Sequence, residues 1–208
     1  MLGLLKKNLI LSTQRSKWVL CILGLYLAIG LFSGGADIVF MLLPIMFSVE
    51  SVNAVAYDAT CEWDLFASAL PVSRRQIVLA QYLTSYGMIL ASSVVSAVGS
   101  VIYASVSGEP IKLALGSAVG MAICSLLYVS ITTPVIYKFG VEKLRLVIML
   151  MMIGIGILIY AVISLSNGAV GDFELNLPLI GAICAVPAIA LCVGSIFVSM
   201  KIYENKEF

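Results

Sequence analysis

The sequence predicts an all-α, polytopic membrane protein with six transmembrane helices, an N-terminal interfacial helix and one short cytoplasmic helix between spans two and three. Three observations lead there. Hydrophobic residues make up 62% of the 208 positions and charged residues 11%, against about a quarter charged in soluble domains. Apolar stretches of about 20 residues, the length that crosses a bilayer, recur six times. The basic residues also fall almost entirely on one side. With the N-terminus inside, Lys6, Lys7, Arg15, Lys17, Arg74, Arg75, Lys138, Lys143, Arg145, Lys201 and Lys206 are all cytoplasmic and Lys112 alone is outside. That asymmetry is the positive-inside pattern, and it places both termini in the cytoplasm. The whole chain, 1–208, reads as a single transmembrane domain.

Residues 1–17 come first. Leu2, Leu5 and Leu9 share a helical face with lysines beside them, which suits a helix lying in the inner headgroup layer; an ordinary basic flank is the simpler alternative. No A-x-A site follows the apolar run, so cleavage as a signal peptide is not expected. The spans are predicted near 18–32, 38–57, 77–106, 113–137, 144–165 and 177–200, leaving 201–208 as a cytoplasmic tail. Pro44, Pro134 and Pro187 fall inside three of them and are candidate kinks.

The loop at 58–72 carries the clearest functional pattern. Thr60 can cap a short helix whose first turn holds Glu62 and Asp64, where negative charge suits the helix dipole, and Pro71 ends it. Trp63, Phe66, Ala67 and Leu70 lie at i, i+3, i+4 and i+7, so one face is apolar. A helix this short needs something to pack on. Beyond it, Ser73 and Gln76 match a capping box that starts the third span near Arg74. Two arginines in a first turn oppose the dipole, so Arg74 and Arg75 are expected to meet lipid phosphates or the acids of a partner.

Inside the spans, Glu50 is the notable acid. It shares a face with Asn53, Ala54 and Tyr57, about 10 Å from the cytoplasmic end of its helix. A carboxylate at that depth is expected to face protein or water, either lining a transport route or held structurally. Ser92, Ser96, Ser100 and Ala104 recur every four residues, a small-residue stripe that suits close helix packing or, less simply, a polar conduit. Gly116 and Gly120 have the spacing of a membrane helix-packing motif.

Much chemistry is excluded. The chain has no histidine, which rules out zinc-protease helices, His-dependent triads and His proton relays. It has no G-x-x-x-x-G-K-[ST], so it holds no P-loop of its own. Its five cysteines show no C-x-x-C pair, so neither a metal site nor a disulfide framework is expected. The chain is not expected to be an enzyme.

Glu50, Asn53, Asp58 and Trp63, followed by Leu70-Pro71-Val72-Ser73-Arg74-Arg75 and Ile77-Val78-Leu79-Ala80-Gln81-Tyr82-Leu83, resemble the signature of six-span type-2 ABC exporter permeases, among them the permeases of the phenol-soluble-modulin exporter of Gram-positive bacteria. Gln81 departs from the pattern, where a lysine is usual. The resemblance implies that the loop helix is a coupling helix seated in a groove of a separate ABC ATPase subunit. Glu62, Trp63, Asp64, Phe66, Ala67 and Leu70 would then form the docking surface. It further implies a second permease copy or sister chain, a bacterial cell membrane shared with its lipids, and ATP with Mg bound by the ATPase and no cofactor by this chain. Nucleic acid is not an expected partner. The competing expectation is the substrate-binding membrane component of a vitamin-type ABC uptake system, in which Gly24 and Ala28 would serve helix docking.

Overall fold

The computed structural model describes residues 2–33, 36–61, 63–68, 73–108, 110–169 and 177–205. Among these the chain is all-helical: α1 (Leu2–Ser33), α2 (Ala36–Thr60), α3 (Trp63–Ser68), α4 (Arg74–Ser107), α5 (Ile111–Ala169) and α6 (Leu177–Glu204). Four helical segments within them are long and apolar enough to cross a membrane: Ile38–Thr60, Arg74–Ser107, Ala114–Leu144 and Pro187–Glu204.

The helices differ from the expected segments in instructive ways. α1 is one helix of 32 residues, about 48 Å long at 1.5 Å per residue. The stretch expected to lie in the headgroup layer and the stretch expected to cross the bilayer thus belong to one continuous helix. α2 runs on to Thr60, whose hydroxyl donates to the Ala56 carbonyl at 2.9 Å. Thr60 is therefore the last residue of α2, its hydroxyl bonded one turn back, three positions before α3 begins at Trp63. Pro44, Pro134 and Pro187 lie within helices and end none of them.

α4 starts as its capping box predicts. Ser73 Oγ accepts from the Gln76 amide at 3.4 Å, and the Gln76 side chain accepts from the Ser73 amide. It stops at Gly108, whose φ of 74° is cheap only for glycine. α5 is two helical arms joined without a loop. The break is the single residue Gly140, at φ 78° and ψ 178°, a conformation that a Cβ would strain.

α2 is the hub, packing on α1, α4 and α5, while α6 closes against α4 and α5. Val52, Val55, Ile89, Val129, Ile136 and Leu144 form the main core, uniting α2, α4 and both arms of α5. Val78, Tyr82 and Tyr203 form a second cluster between the start of α4 and the end of α6. The Tyr137 and Tyr203 rings meet edge to face at 5.5 Å, a favoured geometry for aromatic pairs. The second cluster and part of the first gather at the end of the bundle that carries α3, which gives that helix a rigid base.

The small-residue stripe of α4 faces inward. Ser92, Ser96, Ser100 and Ala104 are all buried, and Ser92 and Ser100 donate to carbonyls of their own helix. Close packing is the role this burial supports. Gly120 is different: among the described residues a Cβ there would meet nothing within 4 Å.

Candidate functional site

α3 is the shortest helix and sits on the end of α2. Its six residues fall well below the ~12–15 at which an isolated helix becomes marginally stable, so contacts outside it must hold it. Trp63 supplies one. Its ring lies under the Lys7 ammonium, 4.0 Å from Nζ to ring centroid, and the same ammonium contacts Asp58 Oδ2 at 2.6 Å. Ala67 supplies another, at 1% exposure.

Phe66 points the other way. Its ring stacks at a tilt on Trp63, centroids 5.2 Å apart, yet the residue is 59% exposed. The apolar face expected from helical spacing is therefore divided. Trp63 is half-buried and Ala67 fully buried against the chain itself, and Phe66 is the aromatic left facing outward. Glu62 and Leu70 lie outside the described residues. Asp64 belongs to α3, and its side chain lies outside them.

The cleft at this end of the bundle is lined by Leu4, Lys7, Asn8, Asp58, Trp63 and Gln81 among others, and encloses about 20 Å³. That is room for about one water. Among the described residues the helices thus pack closely at this joint.

Glu50 lies half-buried on α2, at the edge between the buried face of Ser51, Val52, Ala54 and Val55 and an outward face of Val49, Asn53 and Tyr57. The structure keeps Glu50, Asn53 and Tyr57 on adjoining parts of one helix surface, with Asn53 and Tyr57 exposed. Among the described residues no hydrogen bond or ion pair reaches Glu50. A polar strip of this kind on a membrane-crossing helix is costly against lipid.

Arg74 and Arg75 find a partner that the sequence did not reveal. Arg74 donates to the Glu204 backbone carbonyl at 2.8 Å, and Arg75 pairs with the Glu204 carboxylate. The guanidinium groups thus cover the last turn of α6, where exposed carbonyls carry the negative end of the helix dipole. Their unfavourable place in the first turn of α4 is offset at a second helix end. Within the chain the two arginines thus meet the end of its own C-terminal helix, 130 positions away for Arg74.

Sequence reasoning missed a polar cluster within the bundle. Pro134 leaves the carbonyl four residues earlier, that of Ser130, without its helical donor. Ser195 Oγ of α6 donates to that carbonyl at 2.5 Å. Tyr82 of α4 lies 2.7 Å from Ser195 Oγ and 2.8 Å from Ser199 Oγ, and Tyr86 lies 2.9 Å from Ser130 Oγ. The signal available in the sequence was the proline itself, since a freed carbonyl in lipid must be satisfied by something.

Neither the curated proteins nor the solved structures give a match to the chain. The family comparison does: a model described as ABC-2 family transporter protein matches residues 3–204. By that match over nearly its whole length, the chain belongs to the ABC-2 transporter family as a membrane permease subunit.

Proposed function

We propose that this chain is the membrane subunit of an ATP-driven exporter for hydrophobic or amphipathic cargo such as peptides. ABC-2 membrane subunits associate with an ABC ATPase subunit, which carries the catalysis. In this reading ATP and Mg belong to that partner, six crossings leave both termini in the cytoplasm, and the chain transmits force. ATP-driven closure of the ATPases moves α3, α3 moves the end of α2, and the spans rearrange toward the outside. A second copy or a sister chain covers the outward strip of Glu50, Asn53 and Tyr57, placing those groups beside the transport route.

One observation carries the docking assignment. Phe66 is exposed on a helix too short to stand alone, at the end of the bundle. Large exposed aromatics of this kind serve as interface anchors. Trp63, the anchor suggested by the spacing, is half-buried under Lys7, so Phe66 takes that role with Trp63 supporting it. An apolar groove of about 250 Å³ between α2 and α4, lined by Leu43, Phe47, Met88, Ala91, Ser92 and Val95, suits apolar cargo better than a sugar or free ion. The family match favours this reading over the vitamin-uptake one.

The test is Phe66→Ala. Truncating an aromatic anchor costs about 2 kcal/mol, or roughly thirtyfold in association. The variant should insert and fold normally yet recover little of the Mg-ATPase that co-purifies with the unmodified chain, and cargo-stimulated hydrolysis should vanish. Full recovery of the ATPase with normal export would remove α3 from the docking role.

A further inference from the structure

We propose that Lys7 is a positioning residue for α3: its ammonium, held by the Asp58 carboxylate and set over the Trp63 ring, ties the N-terminal turns of α1 to α3 and sets the direction in which Phe66 faces outward. The inference rests on reading α3 as the docking helix.

Three segments converge on one cation. Lys7 comes from the second turn of α1, Asp58 from the last turn of α2 and Trp63 from the start of α3. A lysine near the start of an interfacial helix ordinarily turns its charge to water or lipid phosphate. Lys7 instead turns inward, its side chain 22% exposed and that of Asp58 19%. Asn8 and Ser12, one turn apart on the adjoining side of the same helix, are 7% and 5% exposed. This part of α1 therefore directs a polar face at the protein and leaves Lys6, Leu9 and Ile10 outside. Bringing an ammonium partly out of water is unfavourable unless a charge and a ring face replace the lost solvation. Both do so here.

The position of the contact within α3 gives it leverage. Trp63 is the first residue of the helix, and its ring carries Phe66 stacked beside it. With fewer than two turns, α3 has too few internal hydrogen bonds to hold its own orientation. Ala67 packs the helix down, and the Trp63 ring under Lys7 sets its rotation. Because the described residues leave room for about one water between these helices, a displacement of α3 is passed to α1 as well as to α2. The N-terminal turns thereby become a working part of the coupling element.

The full chain in lipid nanodiscs tests this without the ATPase. The chain has two tryptophans, so a Trp18→Phe background leaves Trp63 as the sole indole. In Lys7→Met, Trp63 emission should shift to the red and acrylamide quenching should rise. Lys7→Arg, which keeps a cation able to stack on the ring, should restore both. Unchanged emission and quenching in Lys7→Met would overturn the proposal. Association with the co-purifying ATPase then separates the two readings. Lys7→Met should weaken it roughly three- to tenfold, as loss of a part-buried cation–π contact implies, with Lys7→Arg near the unmodified value. If Phe66→Ala weakens association and Lys7→Met leaves it unchanged, the positioning role alone fails. If Phe66→Ala itself has no effect, the docking assignment of α3 fails, whatever Trp63 reports.

Discussion

The Tyr82 hydroxyl lies 2.7 Å from Ser195 Oγ, and that same Ser195 hydroxyl donates to the Ser130 carbonyl that Pro134 leaves without a helical donor. Residues on α4, α5 and α6 thus share one chain of hydrogen bonds across the bundle. The proline is tolerated because a neighbouring helix replaces its missing bond.

Tyr82→Phe should lower the stability of the protein. It strips the hydroxyl from two buried serines and leaves the ring in place. Interhelical hydrogen bonds in membranes are typically worth about 0.6 kcal/mol and at most about 1.7, so a loss near 1 kcal/mol is expected. Thermal unfolding in nanodiscs measures it. A melting temperature equal to that of the unmodified chain would mean that the network contributes no net stability.

Gly99→Ala tests the approach of α2 to α4. An added methyl would fall 2.9 Å from Phe40 Cγ and closer still to two ring-edge atoms. The helices must then separate or the ring must turn, at a cost of about 1–3 kcal/mol. Combining Gly99→Ala with Phe40→Leu should recover most of the loss. Equal destabilisation with and without Phe40→Leu would place the strain elsewhere.

Glu204→Lys should loosen the end of α6 by setting a cation beside Arg74 and Arg75. Limited trypsin cleavage after Lys201, in the last turn of that helix, is expected to accelerate. The pair Arg75→Glu with Glu204→Arg restores opposite charges and should slow cleavage again. Cleavage that ignores both changes would show that the arginines do not hold this helix end.

Glu50→Gln keeps shape and hydrogen-bonding capacity and removes the charge. Export should fall while assembly with the ATPase, followed by gel filtration of the purified complex, stays intact. Normal export would return Glu50 to a structural role.

Topology gives the last expectation. In a cysteine-free background, Ser107→Cys should label from outside and Asn205→Cys only after the membrane is permeabilised. External labelling at 205 would break the six-span arrangement.

Local signals determined a good part of this. Hydropathy located the helical stretches, because the length needed to cross a bilayer is set by its thickness. Ser73 and Gln76 located the start of α4 to the residue, since a capping box involves only near neighbours in the chain. Helical spacing placed a short helix at Trp63 and put Glu50, Asn53 and Tyr57 on one surface. Which faces look inward was not legible. Spans that are apolar all round carry no amphipathic stripe to mark the buried side, because lipid and protein interior are equally apolar. Only tertiary packing decided that Trp63 turns toward Lys7 while Phe66 turns out, that Glu204 receives Arg74 and Arg75, and that Ser195 meets the carbonyl freed by Pro134. Each of the last two joins positions 65 or more apart in the chain, and Lys7 reaches Asp58 across 51. No local rule of spacing connects such residues, and their meeting depends on how complete helices pack.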